Sequence, residues 1–197
     1  MTMIGFVLHL ANGCLAVAEP NPQITPVRGE IVSPNQQSAV KIEHRALPRS
    51  DPVDGFFTLV LQVHGRAVRE SPTMGYLLNA FWSPDNRYVA VNNRRSNSGD
   101  YVWVFSVPDG RVLEVPDDKV GEIFAHRAAA RFPELANASF DKFRNLAKKW
   151  INSRELEVES RIVFRHPSFV VIRRAVYEID RGKLNLKTEE FARTSRS

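Results

Sequence analysis

The apolar positions of this chain follow two rhythms. Between Ala39 and His44, Val40 and Ile42 alternate with Lys41 and Glu43, the period-two pattern of a half-buried strand. Phe57 to His64 repeats it, with Phe57, Leu59, Leu61 and Val63 on one face. Pro48-Arg49-Ser50-Asp51-Pro52 lies between them and predicts a loop. Tyr88 to Asn92 and Tyr101 to Val107 are the next strands. The second is apolar on both faces, as a central strand covered on both sides would be. Asp109-Gly110 predicts a hairpin turn because both positions tolerate positive φ, and Arg111 to Val115 returns as the partner.

The period changes at Asp117. Val120, Ile123, Phe124 and Ala128 form a helical stripe that Asp117 or Asp118 can cap and that Pro133 ends. A second helix is predicted from Ser139 to Ile151 on the stripe Phe140, Phe143, Ala147, Trp150 and Ile151. Ser139 is its N-cap, and Lys148-Lys149 occupy the last turn, where the macrodipole favours cations. Alternation resumes from Leu156 to Phe164, with Glu155, Glu157, Glu159 and Arg161 on the wet face. Phe169 to Asp180 is a further strand, and Arg181-Gly182 turns into a short one around Leu184 and Leu186. Strands, two helices and strands again predict an α+β domain: a twisted antiparallel sheet, a meander plus a C-terminal hairpin, with two helices packed on it.

One local motif stands out. Phe81-Trp82-Ser83-Pro84-Asp85-Asn86-Arg87-Tyr88 leads into a strand, followed by Tyr101-Val102-Trp103-Val104-Phe105 and by Asp109-Gly110-Arg111. The segment Phe81 to Val115 resembles a single blade of a TolB-like or WD40-like β-propeller, in which a Ser-Pro-Asp-Gly turn precedes the first of two such strands. Asn86 stands at the fourth turn position and tolerates left-handed backbone. A propeller needs roughly four to eight blades, and the sequence shows no clear second copy. The resemblance therefore implies a twisted antiparallel meander rather than a propeller's function.

The N-terminus carries a different signal. Met3 to Leu10 is almost wholly apolar, and Ala16-Val17-Ala18 has the small-x-small pattern that signal peptidase accepts, although no Lys or Arg precedes the apolar run. The run is far shorter than the ~20 residues that span a bilayer. These features predict that residues 1–18 are the signal peptide of an exported bacterial protein; the other reading is a buried N-terminal strand or helix. Ala11-Asn12-Gly13-Cys14 also resembles a bacterial lipoprotein box, which would place a lipid on Cys14 as the membrane attachment. Residues 19–38 hold Pro20, Pro22, Pro26 and Pro34 and predict an extended linker. The folded domain is then 39–192, with a disordered tail over 193–197.

Charge and composition narrow the chemistry. The chain carries a formal net charge of +5, but its basic residues are interleaved with Asp and Glu, the pattern of a solvated mixed surface. That balance admits an acidic protein or an anionic envelope component as partner, and no nucleic acid for an exported chain. Cys14 is the single cysteine, so loss of the signal removes disulfides, thiolate catalysis and Cys-ligated zinc together. His9, His44, His64, His126 and His166 lack zinc-site spacing, although His44 and His64 fall on neighbouring predicted strands. P-loop, Rossmann and serine-hydrolase motifs are missing, so no cofactor, metal or catalytic set is expected.

The polar stretch Asn92 to Asp100 reads as a long exposed loop. Arg94 and Arg95 offer guanidinium forks for carboxylate or phosphate, with Asn93 and Asp100 as oxygen donors; these four are the ligand-binding candidates. The sequence thus predicts a periplasmic or secreted, non-enzymatic binding or envelope-associated protein. Two alternatives stand beside it: an exported hydrolase whose site is assembled from distant strands, and a basic nucleic-acid binder should the N-terminus not be a signal.

Overall fold

A computed structural model describes residues 29–46, 55–73, 77–96, 99–113, 120–165 and 169–195. Twelve strands appear there, in three consecutive meanders of four. The first is β1 (Glu30–Val32), β2 (Ser38–Ala46), β3 (Gly55–Val63) and β4 (Arg66–Thr73). The second is β5 (Leu77–Trp82), β6 (Tyr88–Ser96), β7 (Gly99–Ser106) and the short β8 (Val112–Leu113). Helix α1 (Val120–Arg131) and a 3-10 turn (Pro133–Leu135) lead to the third: β9 (Phe140–Trp150), β10 (Glu155–Phe164), β11 (Phe169–Asp180) and β12 (Lys183–Ser195). Pairing within every meander is antiparallel. A two-residue parallel bridge, Gly99 opposite Phe143 and Asp100 opposite Arg144, joins the second and third into one eight-stranded sheet.

Turn chemistry sets these hairpins. His64-Gly65 and Arg181-Gly182 both hold φ near +48° and +73°, the geometry of two-residue type I′ turns whose twist matches that of the flanking strands. The β5–β6 turn is more elaborate. Ser83 Oγ donates to Asp85 Oδ1 and accepts from the Tyr88 amide, while the Asn86 amide donates to the Ser83 carbonyl and Asn86 sits at φ +57°. The β1–β2 turn repeats this bond for bond. Ser33 Oγ donates to Asn35 Oδ1 and accepts from the Ser38 amide, the Gln36 amide donates to the Ser33 carbonyl, and Gln36 sits at φ +59°. A second copy of the turn therefore exists, in Ser-Pro-Asn-Gln form and fifty positions earlier.

The repeat extends to packing. Ile31 and Val40 of the first meander join Ala80, Val89, Val91 and Phe105 of the second in one apolar cluster. Their equivalents in the second meander, Phe81 and Ala90, face the other way, onto Ala147, Val158 and Ala175 of the third. The first two meanders thus stack in the same sense, front of one against back of the next. A third cluster, with Phe143, Ile162, Phe164 and Val171, lies beneath Phe124 and Ala128 of α1.

The α+β expectation with two helices is overturned: the protein is mostly β, with two sheets and one helix of seven or more residues among the described ones. The predicted helix over 139–151 is strand β9. Its apolar stripe advances by three, four and three residues, which imitates a helix. Register shows why a strand produces it. Val163 pairs with Lys142 and Phe164 with Phe140, so Asp141 is an extra residue; Glu157 pairs with Lys149 and Val158 with Ala147, so Lys148 is another. Each three-residue step contains one bulged residue and therefore counts as two in the pleat. The first predicted helix is present as α1, its expected caps Asp117 and Asp118 lying outside the described residues. The segment read as linker contributes β1, and β12 runs on to Ser195.

Candidate functional site

The stretch expected as a loop is strand as far as Ser96 and again from Gly99. Asn92 pairs with Val102, Asn93 with Tyr101, Arg94 with Asp100 and Ser96 with Gly99. Alternation along β6 and β7 sends Asn93 and Asp100 to opposite faces, so they do not converge on a shared ligand. Both are buried, at 0% and 2% exposure. Asn93 Oδ1 accepts a 2.5 Å hydrogen bond from Thr73 Oγ1 of β4, tying the hairpin to the first meander. The side chains of Arg94 and Arg95 lie outside the described residues. Asn92 is structural as well. Its side chain accepts from the Ala147 amide at 2.7 Å and donates to the Ala147 carbonyl at 3.0 Å, completing the edge of β9 where β7 has parted from it.

Asp100 does belong to a charged constellation that the sequence did not reveal. Register places Arg94 opposite Asp100, Asp100 opposite Arg144, and Arg144 opposite Arg161. Asp100 Oδ2 lies 3.0 Å from Arg144 Nε. One pleat along, Glu159 sits opposite Arg174. Glu159 Oε1 accepts from Arg161 Nε at 2.9 Å and lies 3.9 Å from Lys148 Nζ, while its Oε2 is 3.7 Å from Arg174 Nε. The carboxylates are sunk, with side chains 2% and 7% exposed, whereas Arg144 and Arg174 reach 40% and 59%. At these positions acid lies beneath and base above, while further along the same face Glu157 and Glu155 pair with Lys149 and Lys187. Arg161 is hydrogen-bonded to Glu159 through Nε, whereas Arg144 and Arg174 meet Asp100 and Glu159 as ion pairs, and the terminal nitrogens of all three make no hydrogen bond among the described residues. Like charges directly opposite, as Arg144 and Arg161 are, would destabilise the pair without those two carboxylates.

The inner face of the same strands carries a buried polar row. Asn145, Ser160 and Arg173 stand opposite one another across β9, β10 and β11. Ser160 Oγ donates to Asn145 Oδ1 at 2.9 Å. Arg173 Nε donates to Glu189 Oε2 at 2.7 Å, and its Nη1 donates to Tyr177 Oη. Arg127 of α1 makes two further bonds to Glu189. The row separates the cluster under the second meander from the cluster under α1.

The two histidines on neighbouring strands do not meet. His44 lies opposite Phe57, whereas His64 lies past the Val63–Ser38 pair. That sets the two histidines at opposite ends of the β2–β3 ladder, roughly 20 Å apart at about 3.3 Å per residue. His166 lies outside the described residues. No group of three His, Cys, Asp or Glu gathers among the described residues. Asp109, in the β7–β8 turn, is held below the usual carboxylate range chiefly by a hydrogen bond from Ser106. Lys187 is raised by its contact with Glu155. No helix among the described residues is long and apolar enough to cross a membrane.

The alternation of Glu155, Glu157, Glu159 and Arg161 marked a wet strand face. It could not supply the cross-strand partners, which depend on the bulge at Lys148. No family model, no curated protein and no solved structure matches this chain.

Proposed function

We propose that this chain is an exported, non-enzymatic binding protein that engages an anionic envelope component through the outer face of β9–β11. The observation that carries the reading is the gathering of Arg144, Arg161 and Arg174 in ion pairs around two sunken carboxylates, Asp100 and Glu159. Their terminal nitrogens make no hydrogen bond among the described residues, and planar guanidinium forks suit phosphate and carboxylate oxygens. The small-x-small motif at Ala16-Val17-Ala18 supports export to a compartment where phosphorylated lipid headgroups are abundant.

Sedimentation with vesicles tests the binding. The full chain should bind phosphatidylglycerol vesicles and not phosphatidylcholine ones, and added salt should release it. Arg144, Arg161 and Arg174 changed together to Gln should weaken binding about a hundredfold, since each cation near an anionic surface contributes about 1 kcal/mol. Equal binding to both vesicle types would refute the reading, and capture only by an acidic protein would replace it. Intact-mass measurement of the envelope fraction tests export: loss of residues 1–18 supports it, and an uncleaved cytosolic chain refutes it.

A further inference from the structure

The stacking of the first two meanders defines equivalent seats on each. On the second meander the back is apolar and covered: Ala80, Trp82, Val89 and Phe105 pack under β2 and β3. Register maps these positions onto Glu30, Val32, Ala39 and Gln62 of the first meander. One small apolar position is kept there, but Phe105 has become Gln62 and Ala80 has become Glu30. Around them lies an open hollow of about 630 Å³, bounded also by the Ser33–Ser38 turn and Gly65. Its size falls within the range of roughly 300–1,000 Å³ that small-ligand sites occupy.

We propose that this hollow binds a neutral, polyhydroxylated ligand, a short stretch of glycan chain. Gln36, Gln37 and Gln62 supply primary amides, each with a donor pair and an acceptor, and Glu30 adds one carboxylate. Vicinal hydroxyls both donate and accept, and amides and carboxylates meet both demands at once. Among the described residues no Lys, Arg or His lines the hollow, so it presents no cation to phosphate or sulfate and differs in charge from the β9–β11 face. The side chains of Glu30, Gln36 and Gln62 have no hydrogen-bond partner among the described residues, in contrast to Ser33, whose hydroxyl is spent on the turn. Val32, 49% exposed, and Pro34 give the apolar surface on which the C–H face of a sugar ring can rest.

The test is a titration of the isotope-labelled full chain with maltohexaose and, separately, chitohexaose, followed by NMR. One of the two should shift the side-chain amide signals of Gln36 and Gln62 and the backbone signal of Gly65, saturating below about 10 mM, the regime of a millimolar Kd. Gln62→Leu should weaken that binding at least tenfold. Gln36→Gly should weaken it severalfold with the fold intact, because glycine relieves the left-handed backbone at φ +59°. Arg174→Gln should leave it unchanged. If neither oligosaccharide moves these signals, or if both Gln variants bind as the parent does, the polar seat is a solubilising cap on the end of the stack and the proposal fails.

Discussion

The guanidinium of Arg173 lies 4.0 Å from the ring centroid of Phe124, joining the single helix to the centre of the third meander. Arg173 is 2% exposed and also holds Glu189 and Tyr177. Arg173→Met should therefore destabilise the protein by about 3 kcal/mol, the low end for breaking a buried pair, because Glu189 keeps Arg127 and some water. Arg173→Lys should recover only part of this, since an ammonium cannot stack flat on Phe124 while reaching both oxygens. Urea unfolding at constant m-value is the measurement, and an unchanged midpoint for Arg173→Met would contradict the role.

Asn92 makes a second prediction. Its side chain satisfies the amide and the carbonyl of Ala147 in the interior. Asn92→Leu preserves volume but strands both groups away from water, at a cost of about 2–4 kcal/mol. Hydrogen exchange should locate the damage: the Ala147 amide should lose protection more than the β10–β11 ladder does. Uniform loss across the sheet would mean that Asn92 acts on global packing instead.

The twin turns predict matching responses. Ser33→Ala and Ser83→Ala each remove a hydroxyl that accepts a backbone amide, and each should cost about 1 kcal/mol. Asn86→Val forces a β-branched residue into φ +57° and should cost about 2 kcal/mol or more. Thermal unfolding of the three variants checks this, and a silent Ser33→Ala would show that the first turn does not depend on the bonds it shares with the second.

These turns also show what was legible. The second copy was readable because Ser83-Pro84-Asp85-Asn86 sits before a strongly alternating strand. The first was not, because Ser33-Pro34-Asn35-Gln36 preserves the hydrogen bonds while changing two side chains, and it follows a proline-rich stretch. Helix α1 was readable from a stripe with no competing period. Strand β9 was not, since Asp141 and Lys148 insert extra residues that convert a two-residue period into a helical one. Asn92, Asn93 and Asp100 looked like solvent-loving loop residues because their partners, Ala147, Thr73 and Arg144, are remote in sequence. The cationic face was hidden for the same reason.

Acid stability should respond to Ser106. Its hydrogen bond holds the Asp109 carboxyl below the ordinary 3.8. A group whose folded pKa lies below its unfolded value stabilises the fold above the unfolded pKa, and that stabilisation disappears as pH falls through the lowered folded value. Ser106→Ala should bring Asp109 back toward the ordinary range and flatten this part of the acid limb below about pH 4, where Asp carboxyls titrate. Carboxyl titration by NMR in both proteins decides it; an unmoved Asp109 would remove Ser106 as the cause.

The most demanding prediction concerns Lys148. As the extra residue of a bulge, it allows Ala147 and Trp150 to face the same interior although three positions separate them. Trp150 stacks on Tyr88 at 6.1 Å and donates from Nε1 to the Phe81 carbonyl, closing β9 against the second meander. Deleting Lys148 restores a plain period-two strand in which Trp150 is the second residue after Ala147 and stays on the inner face. The deletion variant should keep the Trp150 contacts and the position of tryptophan emission, and its urea midpoint should fall only modestly as the local twist of the bulge is lost. Lys148→Ala keeps the bulge and loses only a 3.9 Å contact of a 38% exposed lysine, so it should cost under about 1 kcal/mol. A helical β9 would respond differently: a deletion would rotate every later side chain by about 100° and take Trp150 away from Tyr88, with tryptophan emission shifted to the red and a much lower urea midpoint. The fate of Trp150 in the deletion variant thus separates the bulged strand from the helix that its apolar stripe imitates.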